Sequence, residues 1–257
     1  MAENELVSVV LTNYNMARFL PYAVKSVIAQ TYPYLELILV DDASTDTSLD
    51  VMDRLYCAHN SRFSDFEVVT RKKNGNLNMA INSGWPFVEG SYVVLFDADD
   101  VLLPDFVTQT MSHMRAAKAK DDRIGFVYTD NYELGHDGTR GGVMGAYPFD
   151  KARLFGHGVP AESYIAGNAL TDYKALHSIM PLPAVTPKGE KHLRWKRIVD
   201  NGWKGYHLAE PLFDYRMLAG QMSGVSERVR EARARGDASI PGMRINLGEV
   251  WPVHTDS

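Results

Sequence analysis

Asp97-Ala98-Asp99-Asp100 sets three carboxylates within four positions, directly after the apolar run at residues 92–96 and ahead of Leu103-Pro104-Asp105. Carboxylates this close repel one another unless a cation or hydrogen-bond donors neutralise them. Oxygen-only ligands suit Mg²⁺ or Mn²⁺. Such an ion would bridge the two phosphates of a nucleotide and offset the charge of a departing diphosphate. An acidic turn ahead of proline also serves as a solvated loop or a helix cap, so the run alone leaves both readings open. A second pair, Asp41 and Asp42, ends the apolar run at residues 35–40 and leads into Ala-Ser-Thr-Asp. By itself it reads as a turn with an N-cap.

Acids this far apart in sequence act together only if the elements before them end at one edge. LVSVVL at residues 6–11 stops at the polar cluster Thr12, Asn13, Tyr14, Asn15, as a buried strand entering a loop does. Apolar residues at helical spacing follow over 19–30, ended by Thr31-Tyr32-Pro33. LELILV repeats the strand, and Asp46 or Thr47 caps a helix running to about residue 56. A third strand is expected at 66–70, a helix at 78–87 and a fourth strand at 92–96. Strands alternating with helices imply a mostly parallel, Rossmann-like sheet flanked by helices, with ligands at the carboxyl ends of the strands. Further on, the pattern predicts a polar helix at 105–120 and a strand at 124–129. The glycines of 135–158 suggest a hairpin or mobile loops outside the core. A helix is expected at 195–200, strand and turn at 206–215, and a charged helix at 226–236 with Arg-Glu-Ala-Arg-Ala-Arg on its solvated face.

The chain of 257 residues suits one catalytic unit, 1–257. Within it we expect a first half at 1–105 that carries the acidic strand ends, a second at 106–225, and a C-terminal helix and tail at 226–257. A net charge of -5 weighs against general nucleic-acid binding. The single cysteine, Cys57, excludes an intrachain disulfide and a cysteine zinc site, and fits a reducing, cytoplasmic setting. No apolar stretch approaches the roughly 18 to 20 residues of a membrane span, which leaves peripheral membrane association open. The histidines at 113, 157, 177, 192, 207 and 254 show no metal-ligand spacing and read as surface or packed residues.

In order, VSVVLTNYN, VDDASTD, NGNLNMAINSG and LFDADDVLLPD resemble the signature of family 2 glycosyltransferases with the GT-A fold. GEKHLRWKR and AEPLFDYRM extend the likeness to about residue 217, and the spore-coat polysaccharide type is the nearest in pattern. The resemblance implies an inverting transfer of sugar from a nucleoside-diphospho-sugar, a UDP-sugar first, to the hydroxyl of a saccharide or glycoconjugate acceptor, with Mn²⁺ or Mg²⁺. It places Thr12 and Tyr14 in the nucleotide pocket, Asp42 on the pyrimidine, and Asn74 and Gly75 in the segment passing the base. Asp99 matches the ribose-side acid and Asp100 the metal-side acid, Asp99 and Asp100 together holding the ion. Asp97 is an alternative ligand, because the DADD run permits either register.

The catalytic base maps to Glu190, with Trp195 five residues on; Asp172 and Glu162 stand next in line. Three positions depart from relatives. Asn76 replaces a glycine or basic residue, Gly189-Glu190-Lys191 carries one acid where many relatives carry Glu-Asp, and Leu218 replaces a histidine. These departures keep a non-catalytic nucleotide-sugar-binding module in view. A sugar-nucleotide pyrophosphorylase would carry a glycine-rich basic loop where this chain has TNYNMARF. A dehydrogenase would carry Gly-x-Gly-x-x-Gly after the first strand.

Overall fold

The computed structural model describes residues 5–156, 164–185, 190–219 and 225–247. The first two strands, β1 (Val7–Asn13) and β2 (Leu35–Asp41), are buried along nearly their whole length, as strands covered on both faces must be. Between them lies α1 (Leu20–Ile28), with Pro21 in its first turn and Leu20, Ala23, Val24 and Val27 on its buried face. Then come α2 (Ser48–His59), β3 (Phe66–Thr70), α3 (Asn76–Gly84) and β4 (Tyr92–Asp97). All four strands pair in parallel, in the order β3-β2-β1-β4.

The rest of the chain extends this sheet. Its elements are β5 (Val101–Leu102), α4 (Phe106–Lys118), β6 (Ile124–Leu134), β7 (Arg140–Met144), α5 (Lys151–Phe155), β8 (Leu170–Asp172), α6 (Tyr173–His177), α7 (Glu190–Asp200), β9 (Lys204–Arg216) and α8 (Val225–Arg235). A two-stranded hairpin follows, β10 (Ser239–Ile240) with β11 (Met243–Arg244). The described strands form a nine-stranded sheet in the order β3-β2-β1-β4-β8-β6-β9-β5, with β7 on β6. It is mixed: β8, β5 and β7 pair antiparallel, while β6 and β9 are parallel.

Alternation along the strands supplies two cores. Val9, Leu11 and Leu37 join one cluster with Val24, Phe106 and Met111; Val10 and Ile38 join the other with Ile81, Trp195 and Ile198. Trp195 stacks on Phe126 at 4.7 Å and donates its indole N–H to the Ile165 carbonyl at 3.2 Å, so it packs rather than facing a ligand.

Several elements differ from the pattern-based expectation. β6 runs to Leu134, and α7 begins at Glu190, five residues early. The glycine-rich stretch does form a hairpin, turning through Gly138 at φ 90°, but Met144, Ala146 and Leu154 are buried in the core. Met144 packs with Met217, Val229, Ala232 and Ile240, which gives α8 an apolar face. Arg233, expected in solvent, is buried and pairs with the fully buried Glu133 of β6. His207 is packed as expected, bonded to Asp130 at 2.8 Å and stacked on Tyr128.

Candidate active site

Strand register brings the acidic ends together. Thr12 lies opposite Asp97 on one side and Val40 on the other, and Asn13 lies opposite Asp41. Beyond the strands, Asp42 N–H donates to the Asn13 carbonyl at 2.9 Å and Ala98 N–H to the Thr12 carbonyl at 3.2 Å. Asn15, at φ 53°, ties the loop after β1 to the loop after β2: its side-chain oxygen accepts from Thr45 N–H at 2.7 Å. Tyr14 stands 44% exposed at the mouth.

The two acids of the second strand divide their work. Asp41 builds the turn, accepting from Ser44 N–H at 2.8 Å, Ser44 Oγ at 2.6 Å and Asn13 Nδ2 at 2.9 Å. Asp42 turns to the next strand instead, where it accepts from Arg71 at 2.5 Å and Gly75 N–H at 3.0 Å. A side chain at 75 would meet the Arg71 guanidinium at 2.3 Å, so glycine there makes room for it. Asn74 is exposed, and its side-chain oxygen accepts from Asn76 N–H at 3.3 Å. Asn76, Asn78 and Asn82 donate to the carbonyls of Ala184, Pro183 and Leu182. The asparagine-rich motif thus also fastens the segment at 182–184 to α3.

Asp97, Asp99 and Asp100 offer carboxylate oxygens within 4.8 Å of one another. Asp100 is 1% exposed; Asn168 Nδ2 donates to one of its oxygens at 2.8 Å and Arg216 N–H to the other at 2.9 Å. Burial first, then the charges of Asp99 and Asp97, push the Asp100 carboxyl well above the usual carboxylate range. Arg216 Nε also donates to the Asp99 carbonyl at 2.7 Å, with its guanidinium 4.4 Å from the Phe19 ring centre. Asp97 is half-buried and ion-paired with Lys191. Burial alone would lower the Lys191 pKa, but Asp97, then Tyr215 and Asp100, more than offset it and hold the ammonium above its ordinary value. Hard oxygen donors held together against their own repulsion fit a divalent cation.

Glu190 opens α7 and is 4% exposed. Its Oε2 pairs with Arg194, itself 1% exposed, at 2.8 Å, while Glu190 Oε1 and Arg194 Nε have no partner among the described residues. Its chain neighbour Lys191 reaches Asp97, so the helix start bearing Glu190 is tied to the acid cluster. Asp172 drops out as a substitute base: it caps α6, pairs with Lys118 and lies opposite Tyr92, at the far end of β4. Glu162 lies outside the described residues.

Sequence reasoning missed Arg71, Asn168, Lys191, Arg194 and Arg216. Two of them carried a signal: Arg71 is the first residue past β3, and Arg216 ends β9 within the Tyr-Arg motif.

The sequence profile of glycosyl transferase family 2 matches residues 8–179. The chain belongs to this family. Among relatives, EpsE of Bacillus subtilis is 28% identical over 216 residues, covering 82% of this chain and 72% of that protein. A chondroitin synthase of Pasteurella multocida is 34% identical over 134 residues, 52% of this chain but 13% of the synthase. The family 2 chain therefore spans only a small part of that larger enzyme. In structure it resembles mannosyltransferase PcManGT of Pyrobaculum calidifontis, solved with GDP-Man and Mn²⁺: TM-score 0.65, 17% identity, covering 93% of this chain and 67% of that one. It also resembles S. aureus TarS residues 1–349 in complex with UDP, with TM-score 0.62 and 16% identity over 83% of this chain and 61% of that one. These likenesses establish the GT-A fold. No helix among the described residues is long and apolar enough to cross a membrane.

Proposed function

We propose that this family 2 protein is a divalent-cation-dependent, inverting glycosyltransferase that moves sugar from a UDP-sugar to a saccharide or glycoconjugate hydroxyl. The observation that carries the reading is the convergence of Asp97, Asp99 and Asp100 at the carboxyl edge of the parallel strands, with Lys191 tying the helix start of Glu190 to them. Thr12, Tyr14, Asp42 and the 74–75 segment edge the nucleotide. Asp42 accepts a pyrimidine N–H on the oxygen that Arg71 leaves less occupied. The solved neighbours carry different nucleotides, UDP in TarS and GDP-Man in PcManGT, so the preference for uracil rests on these residues.

A cation held by Asp99 and Asp100 would neutralise charge developing on the departing diphosphate. Direct displacement needs a base on the face away from that diphosphate. Arg194 holds Oε2 of Glu190; Oε1, buried and without a partner among the described residues, would receive the acceptor proton once an acceptor hydroxyl reaches it.

The burial of Glu190 against Arg194 favours a second reading, a nucleotide-sugar-binding module in which this ion pair is structural. Turnover separates the two. A thermal-shift panel of nucleoside diphosphates with and without Mn²⁺ identifies the ligand; transfer and hydrolysis assays on the matching sugar nucleotide follow. Mn²⁺-dependent stabilisation by UDP together with turnover supports the transferase. Binding without turnover across acceptors supports the module, and GDP or ADP binding more tightly than both UDP and dTDP overturns the uracil assignment.

A further inference from the structure

The residue after Glu190 is a lysine whose side chain follows a prepared path. At Gly167, an added Cβ would meet Lys191 Cδ, Cε and Nζ at 2.7, 2.8 and 2.9 Å, so the lysine lies directly over the bare glycine backbone. It arrives at Asp97 and, with Thr12, Asp97, Gly167 and Arg194, lines a small cavity beside the strand ends. Its ammonium is therefore paired with one member, Asp97, of the acid cluster that a divalent ion would share.

We propose that Lys191 is a resident counter-ion of the donor site: it occupies Asp97, leaves Asp99 and Asp100 to the divalent cation, and keeps the site's affinity for the free ion low. A fixed positive charge a few ångströms from a cation site repels the incoming ion and removes one carboxylate from its reach. The same charge attracts a diphosphate. The cation therefore enters with the nucleotide rather than ahead of it. This rests on the metal-site reading above, and the experiment separates the two.

Mn²⁺ binding is measured by calorimetry on the whole chain, with and without UDP, for the wild type and Lys191→Ala. Loss of a residue that only props up the site would weaken Mn²⁺ binding. The counter-ion role predicts the opposite sign: Lys191→Ala binds Mn²⁺ alone about tenfold more tightly, the order expected for removing one like charge from a partly screened site. Adding Asp97→Asn to Lys191→Ala should cancel the gain. Gly167→Ala displaces the lysine while keeping every charge, so it should reproduce part of the gain in the wild type and none in the Lys191→Ala background. The factor by which UDP tightens Mn²⁺ binding should shrink in Lys191→Ala. Unchanged or weaker Mn²⁺ binding in Lys191→Ala, while the wild type binds Mn²⁺ with UDP, overturns the counter-ion role alone. No Mn²⁺ binding by either protein, with UDP or without, overturns the metal site and this inference with it.

Discussion

Replacing Asp100 with asparagine should stabilise the ligand-free protein while removing its response to a divalent cation. Both hydrogen bonds of Asp100 survive the change. The side-chain oxygen still accepts from Arg216 N–H, and a half-turn of the Asn168 amide offers its buried, unpartnered Oδ1 to the new amide. What disappears, at a pH above the folded pKa of Asp100, is a buried negative charge with two others inside 4.8 Å. Two such charges about 5 Å apart repel by about 3 kcal/mol at an effective dielectric near 20. The attraction to Lys191 and screening at the half-buried partners offset much of this, leaving a net gain of about 1–3 kcal/mol, or a few degrees in Tm.

The pH dependence fixes the sign. Burial and its acidic neighbours raise the folded-state pKa of Asp100 above its unfolded value, so the folded state holds the extra proton. Its favourable contribution is complete below the ordinary carboxylate pKa, about 3.9, and is lost as pH rises through the folded value. The variant should therefore match wild type near pH 4 and melt progressively higher than wild type as pH rises. Mn²⁺ with UDP should raise the wild-type melting temperature and leave that of the variant unchanged. A variant that melts at or below wild type at pH 8 refutes the electrostatic reasoning, and one that still responds to Mn²⁺ refutes Asp100 as a ligand.

Glu190→Gln should lower transfer by about 10²-fold with donor affinity kept, and because it strands the buried Arg194 cation it should also cost about 1–3 kcal/mol. Glu190→Gln combined with Arg194→Met should recover the stability in urea melts but not the transfer; recovered transfer would remove Glu190 as the base. Asp42→Asn should weaken UDP binding about tenfold and narrow the preference over GDP in competition titrations, and an unchanged preference would move base recognition elsewhere. Arg233→Met leaves Glu133 without its guanidinium and should cost about 3 kcal/mol in urea denaturation, while Arg233→Met with Glu133→Leu should cost much less. Equal losses in the single and double variants would show that the pair does not carry the docking of α8.

The alternation of apolar runs with helical periods determined the architecture of the first half directly, because strands buried on both faces must be apolar throughout and must end where polar chain begins. That rule alone located Thr12, Asp42 and the Asp97–Asp100 run at the sheet edge. The second half was less legible. The short β8 and β5 and the hairpin at β7 carry little periodicity, and whether a glycine-rich stretch is buried depends on what covers it, here α8 over Met144 and the core around Trp195 over Ala146 and Leu154. Sequence likewise could not tell the acids apart. Asp41 and Asp42 are adjacent and alike, yet Ser44 and Asn13 claim one while Arg71 claims the other. Asp97 and Asp100 differ because Lys191 arrives at one, while Asn168 and Arg216, far along the chain, meet the other and bury it. Composition and spacing fix which groups can ionise. Which of them stays charged, stays reachable or is already neutralised depends on desolvation and on partners far along the chain, and those exist only once the chain has folded.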